Sequence, residues 1–282
     1  MTSSPLGCII IAANDEASVI ARTLAHLTEV VERGLVDVVV VCNGCRDATA
    51  DIARGFLGVR VLEIAQPSKV AALRAGDLVA TPGPRMYLDA DVELTGVAAL
   101  ETFRALERGA LAGRPPHGFD TDGAHWAVRR WYAVRERLPS VSRNLWGAGC
   151  YALSEGGRAR FDEFPDVLGD DLFINSLFGP AEIVIVDTDP IVVHTPRAVT
   201  DLLRIKGRSY RSQGTDGVGD DDAVMSAGQR AQLHDLWRLL RREPHRAGDV
   251  GVYVVLVGLA RLRARWGRAQ RWERDISSRQ AG

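Results

Sequence analysis

Two aspartates separated by one residue stand at the end of an apolar stretch, in the segment YLDADVE at residues 87–93. If a strand continued through this segment, Asp89 and Asp91 would point to the same face, because side chains alternate along a strand. Two carboxylates that close together repel each other unless positive charge lies between them. A divalent cation is the natural partner of such a pair, so the segment predicts a metal site.

A second acidic pair, Asp170 and Asp171, precedes the apolar residues Leu172 and Phe173 at the predicted start of a helix. Carboxylates at that position cap a helix well, because they accept hydrogen bonds from its free amides and lie at its positive end. The other interpretation is chemical: one of the two carboxylates is a general base that takes a proton from a reacting hydroxyl. The residues alone leave both roles open.

Farther along the chain, His194 follows an apolar strand, and Arg208 and Arg211 stand three residues apart in a basic predicted helix. Residues at that spacing share a helix face, which suits a clamp on phosphate oxygens as well as a solvated surface. His194 is either a hydrogen-bonding residue at a strand end or a ligand.

The acidic segments are positioned by a regular alternation of predicted strands and helices in the first hundred residues. Strands are predicted at 8–13, 37–42, 59–64 and 85–89, and helices at 17–33, 47–56 and 69–80. The apolar runs do not alternate with polar residues, which indicates strands covered on both faces and therefore a mostly parallel sheet with right-handed crossovers. Ligands bind beyond the carboxyl ends of such strands, where residues 14–16, 43–47 and 89–91 stand.

Glycine motifs for phosphate binding do not follow the first strand, where the sequence reads AANDEAS. This excludes the GxGxxG fingerprint of dinucleotide-binding domains, and no GxxxxGK[ST] motif occurs either. Acidic residues at this edge imply that phosphate is bound through a metal. The pattern fits carboxylates that hold Mg²⁺ or Mn²⁺ against a diphosphate.

Composition and charge are those of a globular α/β protein with one large domain or two smaller ones, with 282 residues, 46% hydrophobic and 25% charged. The formal net charge is −1, but residues 238–282 carry eleven arginines against four acidic residues. This imbalance indicates a basic C-terminal surface that faces an anionic partner. Four cysteines are too few for a disulfide framework, and the N-terminus lacks the pattern of a signal peptide, so we expect a cytoplasmic protein.

Four segments resemble, in order, motifs of the inverting GT-A glycosyltransferases of family 2. They are IIIAANDEASVIARTL, VVVVCNGCRDATADIA, SKVAALRAG and MYLDADVEL, which are similar to an acidic turn, an Asn-Gly-x-x-Asp loop, a Lys-x-x-Ala-Leu segment and a DxD strand end. The resemblance implies a Rossmann-like α/β fold with a mostly parallel central sheet flanked by helices. It also implies transfer of a sugar from a nucleoside diphosphate sugar to an acceptor hydroxyl, with Mg²⁺ or Mn²⁺ as cofactor.

The same resemblance implies roles for single residues of the first half. Glu16 matches the acid that lines the nucleoside pocket, Asp47 matches the loop acid beside the nucleotide, and Lys69 matches the lysine that faces it. Asp89 matches the DxD residue near the ribose and the metal, and Asp91 matches the principal metal ligand.

In the second half, the resemblance assigns the base to the second member of the acidic pair. Asp171 is therefore the predicted base, with Asp170 as its neighbour or as a helix cap. His194 would complete the metal shell, and Arg208 and Arg211 would close over the diphosphate.

We expect three parts in the chain: a nucleotide-sugar-binding catalytic domain at 1–214, a flexible loop at 215–225 and a basic helical extension at 226–282. The uncharged stretch 250–260 is too short to cross a bilayer, which needs about 20 residues. The extension therefore packs on the domain, forms a homodimer or lies on the inner face of the cell membrane, and the sequence leaves these open. Trp126, Trp131 and Tyr132 are expected to fill a core rather than stack on a sugar.

Two other functions stay open. A sugar-phosphate nucleotidyltransferase uses a related sheet and the same metals, but it needs a Gly-rich, Arg-containing loop after the first strand, where AANDEAS stands. A catalytically inactive GT-A domain that serves as a docking module is the non-enzymatic alternative. The sequence fixes neither the sugar, the base nor the acceptor, and we expect no nucleic-acid partner.

Overall fold

The computed structural model describes residues 4–167, 169–212 and 221–266, and for residues 208, 211–212, 221–229 and 265–266 it describes the backbone alone. The chain divides into two units. The first consists of Met1–Gly118 and Leu145–Val193, and the second of Phe119–Asn144 and His194–Gly282.

Ten strands occur in the described ranges. They are β1 (Cys8–Ala13), β2 (Asp37–Asn43), β3 (Val59–Ile64), β4 (Arg85–Asp89), β5 (Val92–Glu93), β6 (Ala112–Arg114), β7 (His117–Asp120), β8 (Cys150–Leu153), β9 (Ile183–Ile185) and β10 (Ile191–His194). Seven of them form one sheet in the order β3-β2-β1-β4-β8-β6-β9. The strands β3, β2, β1 and β4 are parallel, while β8 runs antiparallel to both β4 and β6.

Helices of the first unit are α1 (Ile20–Ala25), α2 (Thr28–Glu32), α3 (Thr49–Arg54), α4 (Lys69–Val79), α5 (Gly96–Glu107), α8 (Glu155–Arg158) and α9 (Asp170–Ser176). Those of the second unit are α6 (Trp126–Arg135), α7 (Pro139–Ser142), α10 (Val199–Ser212), α11 (Asp221–Arg242) and α12 (Ala247–Trp266). A short 3₁₀ helix, Pro244–Arg246, stands between α11 and α12.

The core of the first unit lies on both faces of the seven-stranded sheet. Strand β1 shows why: Ile9 and Ile11 pack into one apolar layer, and Cys8 and Ile10 pack into the other. All four side chains are fully buried. Because side chains alternate along the strand, β1 packs against helices on both faces of the sheet. The mostly parallel α/β sheet expected from the apolar runs is confirmed.

The predicted helix 17–33 is two helices in the structure, α1 and α2. The break follows from two competing hydrogen bonds: the Gly96 amide donates to the His26 carbonyl, and the Thr28 hydroxyl donates to the Leu24 carbonyl at 3.3 Å. The helix predicted at 47–56 is shorter, since the Asp47 carboxylate accepts a hydrogen bond from the Thr49 amide at 3.0 Å and α3 begins there.

The second unit is helical around an aromatic core. The ring of Trp131 stacks on that of Tyr253 at a centroid distance of 5.4 Å, and Trp131 and Tyr132 are buried as expected, whereas half of Trp126 is exposed. Helix α11 begins at Asp221, inside the stretch expected to be a loop, and residues 213–220 lie outside the described ranges. Among the described helices, none has the length and apolarity needed to cross a bilayer.

Candidate functional site

Lys69 lies at the centre of an acidic cluster in the first unit. Helix α4 begins with this residue, after a cap in which the Ser68 hydroxyl oxygen accepts a hydrogen bond from the Ala71 amide. The Lys69 Nζ atom is 2.7 Å from Asp89 Oδ1 and 2.9 Å from Asp170 Oδ1. The ammonium group therefore joins the end of β4 to the start of α9, and two acidic segments that the sequence singled out meet at one cation.

Asp170 is buried and fully engaged within this cluster. Its Oδ1 pairs with Lys69, and its Oδ2 accepts a hydrogen bond from the Tyr151 hydroxyl at 2.9 Å. Helix α9 begins at Asp170 itself, its N-cap is Gly169, and the cap makes no side-chain hydrogen bond. The cap role expected for Asp170 is therefore wrong, because its carboxylate turns to an ammonium and a phenol, which bind a buried anion more strongly than a free amide does.

Asp171 is half-buried beside that ion pair. Its Oδ2 accepts a hydrogen bond from the Gly147 amide at 2.7 Å, and its Oδ1 accepts one from the Leu172 amide at 2.8 Å. Burial raises the pKa of the Asp171 carboxyl and the neighbouring Asp170 charge raises it further, while Lys69 and the Gly147 amide act in the opposite direction. Asp171 is thus a stronger base than an ordinary aspartate.

The same carboxylate charges also raise the pKa of Lys69, whereas burial acts on it in the opposite direction. Burial works against its charged form, but the carboxylates of Asp170, Asp89 and Asp171 outweigh that effect and hold the pKa well above its ordinary value. Lys69 therefore stays positively charged at neutral pH.

Backbone, rather than side chain, lines one edge of Asp89. Gly149 has a positive φ of 67° and Gly147 one of 74°. The Asp89 amide donates to the Gly149 carbonyl at 2.8 Å. A Cβ at Gly149 would lie 3.0 Å from Asp89 Oδ2 and 2.7 Å from a methyl carbon of Val92. Both glycines therefore suit the left-handed turn, and Gly149 is needed as well for the close approach to Asp89.

A second polar cluster occupies the carboxyl ends of β1 and β2, which are register partners at Ala13 and Cys42. The Asp47 carboxylate accepts hydrogen bonds from the Ala17 and Thr49 amides, both at 3.0 Å. Burial opposes ionisation of Asp47, but these hydrogen bonds and that of the Thr49 hydroxyl prevail and lower its pKa. Asp47 is therefore an anion that ties the two strand ends together.

Glu16 and Asp15 belong to the same cluster. The Glu16 amide donates to the Thr49 hydroxyl oxygen at 2.7 Å. Asp15 has a positive φ of 52°, and its amide donates to Cys45 Sγ at 3.4 Å. The Asp15, Cys45 and Asp47 side chains have ligand atoms within 4.8 Å of one another. The sequence did not suggest this grouping, because its cysteines were considered only as disulfide partners.

The four cysteines are free thiols, and Cys8, Cys42 and Cys150 are buried. Burial raises the pKa of the Cys42 thiol to about 12. A thiol this weakly acidic carries little thiolate at neutral pH, which does not suit a reactive cysteine.

Asp91 is half-buried and stands in the turn between β4 and β5. Because β4 ends at Asp89, the alternation of a continuous strand does not carry through to Asp91, and the sequence argument for one shared face does not apply. Asp89 of the pair is in direct contact with Lys69.

The remaining predicted residues lie in the second unit. His194 ends β10, and its Nδ1 is 2.9 Å from the Asp120 carboxylate. Arg208 and Arg211 stand in α10, but their side chains lie outside the described residues.

The structure thus brings Lys69, Asp89, Asp170 and Asp171 together, and it places Glu16 and Asp47 together at the neighbouring strand ends. Tyr151 is the contact that the sequence did not suggest. No motif marks it, because it is an aromatic residue in a buried strand, where core packing is the usual role.

Solved structures with a similar fold include a mannosyltransferase, PcManGT from Pyrobaculum calidifontis, in complex with GDP-Man and Mn²⁺. Its TM-score is 0.64 at 15% sequence identity, over 94% of this chain and 88% of that one. Another is glucosyl-3-phosphoglycerate synthase from Mycobacterium tuberculosis with Mn²⁺, UDP and glucosyl-3-phosphoglycerate, with a TM-score of 0.54 at 20% identity, over 76% of this chain and 80% of that one. The same enzyme with Mg²⁺ and UDP has a TM-score of 0.53 at 20% identity, over 76% and 80% of the two chains. These similarities confirm the GT-A fold.

At the level of sequence, the family model described as "Glycosyl transferase family 2" matches residues 8–160, which is more than half of the chain. No curated protein matches the chain in sequence.

Proposed function

Because this chain belongs to glycosyl transferase family 2, we propose that it moves a sugar from a nucleoside diphosphate sugar to an acceptor hydroxyl, with inversion at the anomeric carbon. The observation that carries this proposal is the cluster in which Lys69 joins Asp89 to Asp170, with Asp171 beside it. It supplies a cation for phosphate and a carboxylate of raised basicity close together, at the sheet edge where α/β proteins bind ligands.

The donor and the metal are proposed by comparison. The mannosyltransferase of similar fold is in complex with GDP-Man and Mn²⁺, and the phosphoglycerate enzyme is in complex with UDP and either Mn²⁺ or Mg²⁺. The residues of this chain fit such an ion, since carboxylate oxygens are the ligands that Mg²⁺ and Mn²⁺ prefer. Gly149 keeps the Oδ2 edge of Asp89 clear, because a Cβ there would lie 3.0 Å from that atom.

Asp91 and Asp89 would hold the ion. When bound, it supplies positive charge that offsets the charge developing on the leaving diphosphate. We assign the charge of Lys69 to the same task, because its ammonium already pairs with Asp89. Glu16 and Asp47 orient the nucleoside from the ends of β1 and β2.

Asp171 takes the proton of the acceptor hydroxyl as that oxygen attacks the anomeric carbon on the face opposite the leaving group. Its carboxylate is held by the Gly147 and Leu172 amides, so its direction is fixed before an acceptor arrives. Single displacement with one base gives inversion. The negative charge of Asp170 raises the proton affinity of Asp171.

Replacement of Asp171 by Asn tests this assignment. Asp171→Asn keeps the size of the side chain and one of its two acceptor oxygens but removes the base, so transfer should fall by about 10²- to 10⁴-fold while donor affinity stays within about twofold. Product formation from GDP-mannose and UDP-glucose measures transfer. Calorimetric titration of GDP and UDP with Mn²⁺ measures donor affinity. A variant that transfers sugar at the parental rate would rule Asp171 out as the base.

We further propose that helix α12 lies on an anionic membrane surface. Val254, Val255, Leu259 and Leu262 are each about half exposed, whereas Tyr253, Leu256 and Ala260 of the same helix are buried. Arginines follow the exposed apolar residues, and the segment 238–282 is basic as a whole. Apolar side chains beside arginines are typical of helices that rest on anionic lipid.

Cosedimentation with vesicles that contain phosphatidylserine measures this contact. The double variant Leu259→Asp, Leu262→Asp should lose binding, whereas Leu57→Asp, at an exposed leucine of the first unit, should keep it. Binding should also weaken as salt is raised. If the parent chain instead formed a stable dimer and ignored the vesicles, the face would serve self-association.

A further inference from the structure

Two buried tyrosines face each other on neighbouring strands and make the same kind of hydrogen bond. Tyr87 of β4 and Tyr151 of β8 are register partners, and their rings stack at a centroid distance of 5.0 Å. Both are almost fully buried. The Tyr87 hydroxyl donates to Asp77 Oδ1 at 2.7 Å, and the Tyr151 hydroxyl donates to Asp170 Oδ2 at 2.9 Å.

The two aspartates differ in their other partners. Asp77 pairs with Arg85 and Arg158, both at 2.9 Å, and these contacts tie α4 to β4 and α8. Asp170 pairs with Lys69, which also holds Asp89. The first tyrosine therefore completes a structural ion-pair network, and the second is connected to the candidate active site.

We propose that Tyr151 is a positioning residue of the active site: its hydroxyl holds Oδ2 of Asp170, so that the Asp170 carboxylate stays against Lys69 and beside Asp171. This inference rests on the proposed function, in which Asp171 is the base. Each oxygen of Asp170 has its own partner, which fixes the rotation of the carboxylate about its bond to the chain.

The consequence for Asp171 is electrostatic. The charges of Asp170, Lys69 and Asp89 act on it, and its oxygens accept hydrogen bonds from the Gly147 and Leu172 amides. Burial raises the pKa of Asp171 most, and the charge of Asp170 raises it next. Without the hydroxyl of Tyr151, Asp170 is held by Lys69 alone and can turn away, so the repulsion felt by Asp171 weakens and its proton affinity falls.

Tyr151→Phe tests the inference, and Tyr87→Phe is its matched control. Each substitution removes one buried hydroxyl that donates to an aspartate, and both rings keep their stacking. Nucleoside diphosphate release from GDP-mannose and UDP-glucose with Mn²⁺ gives kcat, KM and the pH profile. For Tyr151→Phe, we expect kcat to fall about tenfold with KM for the donor within about twofold, because the base is weaker while the donor contacts stay intact.

The acid limb of the same profile should move to lower pH in Tyr151→Phe and stay in place in Tyr87→Phe. The midpoint of thermal unfolding, Tm, should fall by a similar amount in both variants, since each loses one buried hydrogen bond. Asp170→Asn should move the acid limb in the same direction as Tyr151→Phe, because it removes the charge that Tyr151 is proposed to hold in place.

A second readout does not depend on any substrate. Carbon-13 NMR of labelled aspartate carboxyls, with the Asp171 signal assigned by its loss in Asp171→Asn, gives the titration midpoint of Asp171 directly. We expect Tyr151→Phe to lower that midpoint and Tyr87→Phe to leave it unchanged. An unchanged midpoint in Tyr151→Phe would overturn the inference even in an active enzyme, and a parent chain without transfer to any acceptor would overturn the proposed function instead.

Discussion

Lys69 is one of two lysines in a chain that otherwise uses arginine for positive charge. Its place between Asp89 and Asp170 accounts for the choice of residue. An ammonium group is compact and can approach two carboxylates from different directions, whereas a guanidinium is planar and prefers one carboxylate in a parallel pair. The distances of 2.7 and 2.9 Å show that both carboxylates are in direct contact with the Lys69 ammonium.

The raised pKa of Asp171 has a consequence for the pH dependence of transfer. As the proposed base, Asp171 works only when it is deprotonated, so its raised pKa moves the acid limb of kcat/KM above the ordinary aspartate value of 3.8. Activity should be complete above this limb and be lost as the pH falls through it. A pH series of initial rates, with circular dichroism at each pH as a control for folding, measures the limb, and a midpoint at or below 3.8 would contradict the prediction.

At the scale of elements, glycines in helices serve different purposes in the two units. In α4, a Cβ at Gly76 would collide with Ile10 of β1, so this glycine permits the helix to lie directly on the sheet. In α12, a Cβ at Gly251 would meet nothing within 4 Å. The fold of the described chain therefore needs the first glycine and not the second.

This difference predicts opposite effects of one substitution. Gly251→Ala should raise the free energy of unfolding by about 1 kcal/mol, because alanine has a higher helix propensity. Gly76→Ala should lower it by about 1 to 3 kcal/mol, because the added methyl group overpacks the core. Urea unfolding of the two variants gives both values. A loss of stability in Gly251→Ala would mean that a partner helix or another part of the chain uses the open space.

The strands of the first hundred residues were predictable from the sequence, because β1 and β2 contain uninterrupted apolar runs that no helix period explains. The break between α1 and α2 was not, since it depends on the Gly96 amide reaching the His26 carbonyl from far along the chain. The same limit applies to the site. The motif residues could be chosen from their types and order, but the pairing of Lys69 with Asp170 and the contact of Tyr151 arise only when β4, β8 and α9 come together.

At the scale of the whole molecule, ligand binding should raise the free energy of unfolding. A ligand that binds the folded chain alone stabilises it by about 2.7 kcal/mol at a concentration 100 times its dissociation constant, which for a chain of this size is a rise in Tm of roughly 5 °C or more. We predict such a rise with Mn²⁺ together with GDP or UDP. It should vanish with EDTA and in Asp91→Asn.

Differential scanning fluorimetry measures these shifts, and magnesium in place of manganese serves as the second metal. The nucleotide without metal is the control, because the acidic residues at the sheet edge repel a free diphosphate. An equal rise with and without the metal would contradict the metal-dependent mode of binding and would leave the nucleotide site without its proposed ion.

Asp15, at the end of β1, has the left-handed backbone conformation that few residues accept without cost. Glycine, asparagine and aspartate are the residues that tolerate it, whereas a β-branched side chain would strain this turn, which follows β1 and contacts the Asp47 loop. Few substitutions are therefore tolerated at Asp15. Diversification of this end of the sheet, in a laboratory library or over evolutionary time, would have to proceed through the neighbours of Asp15.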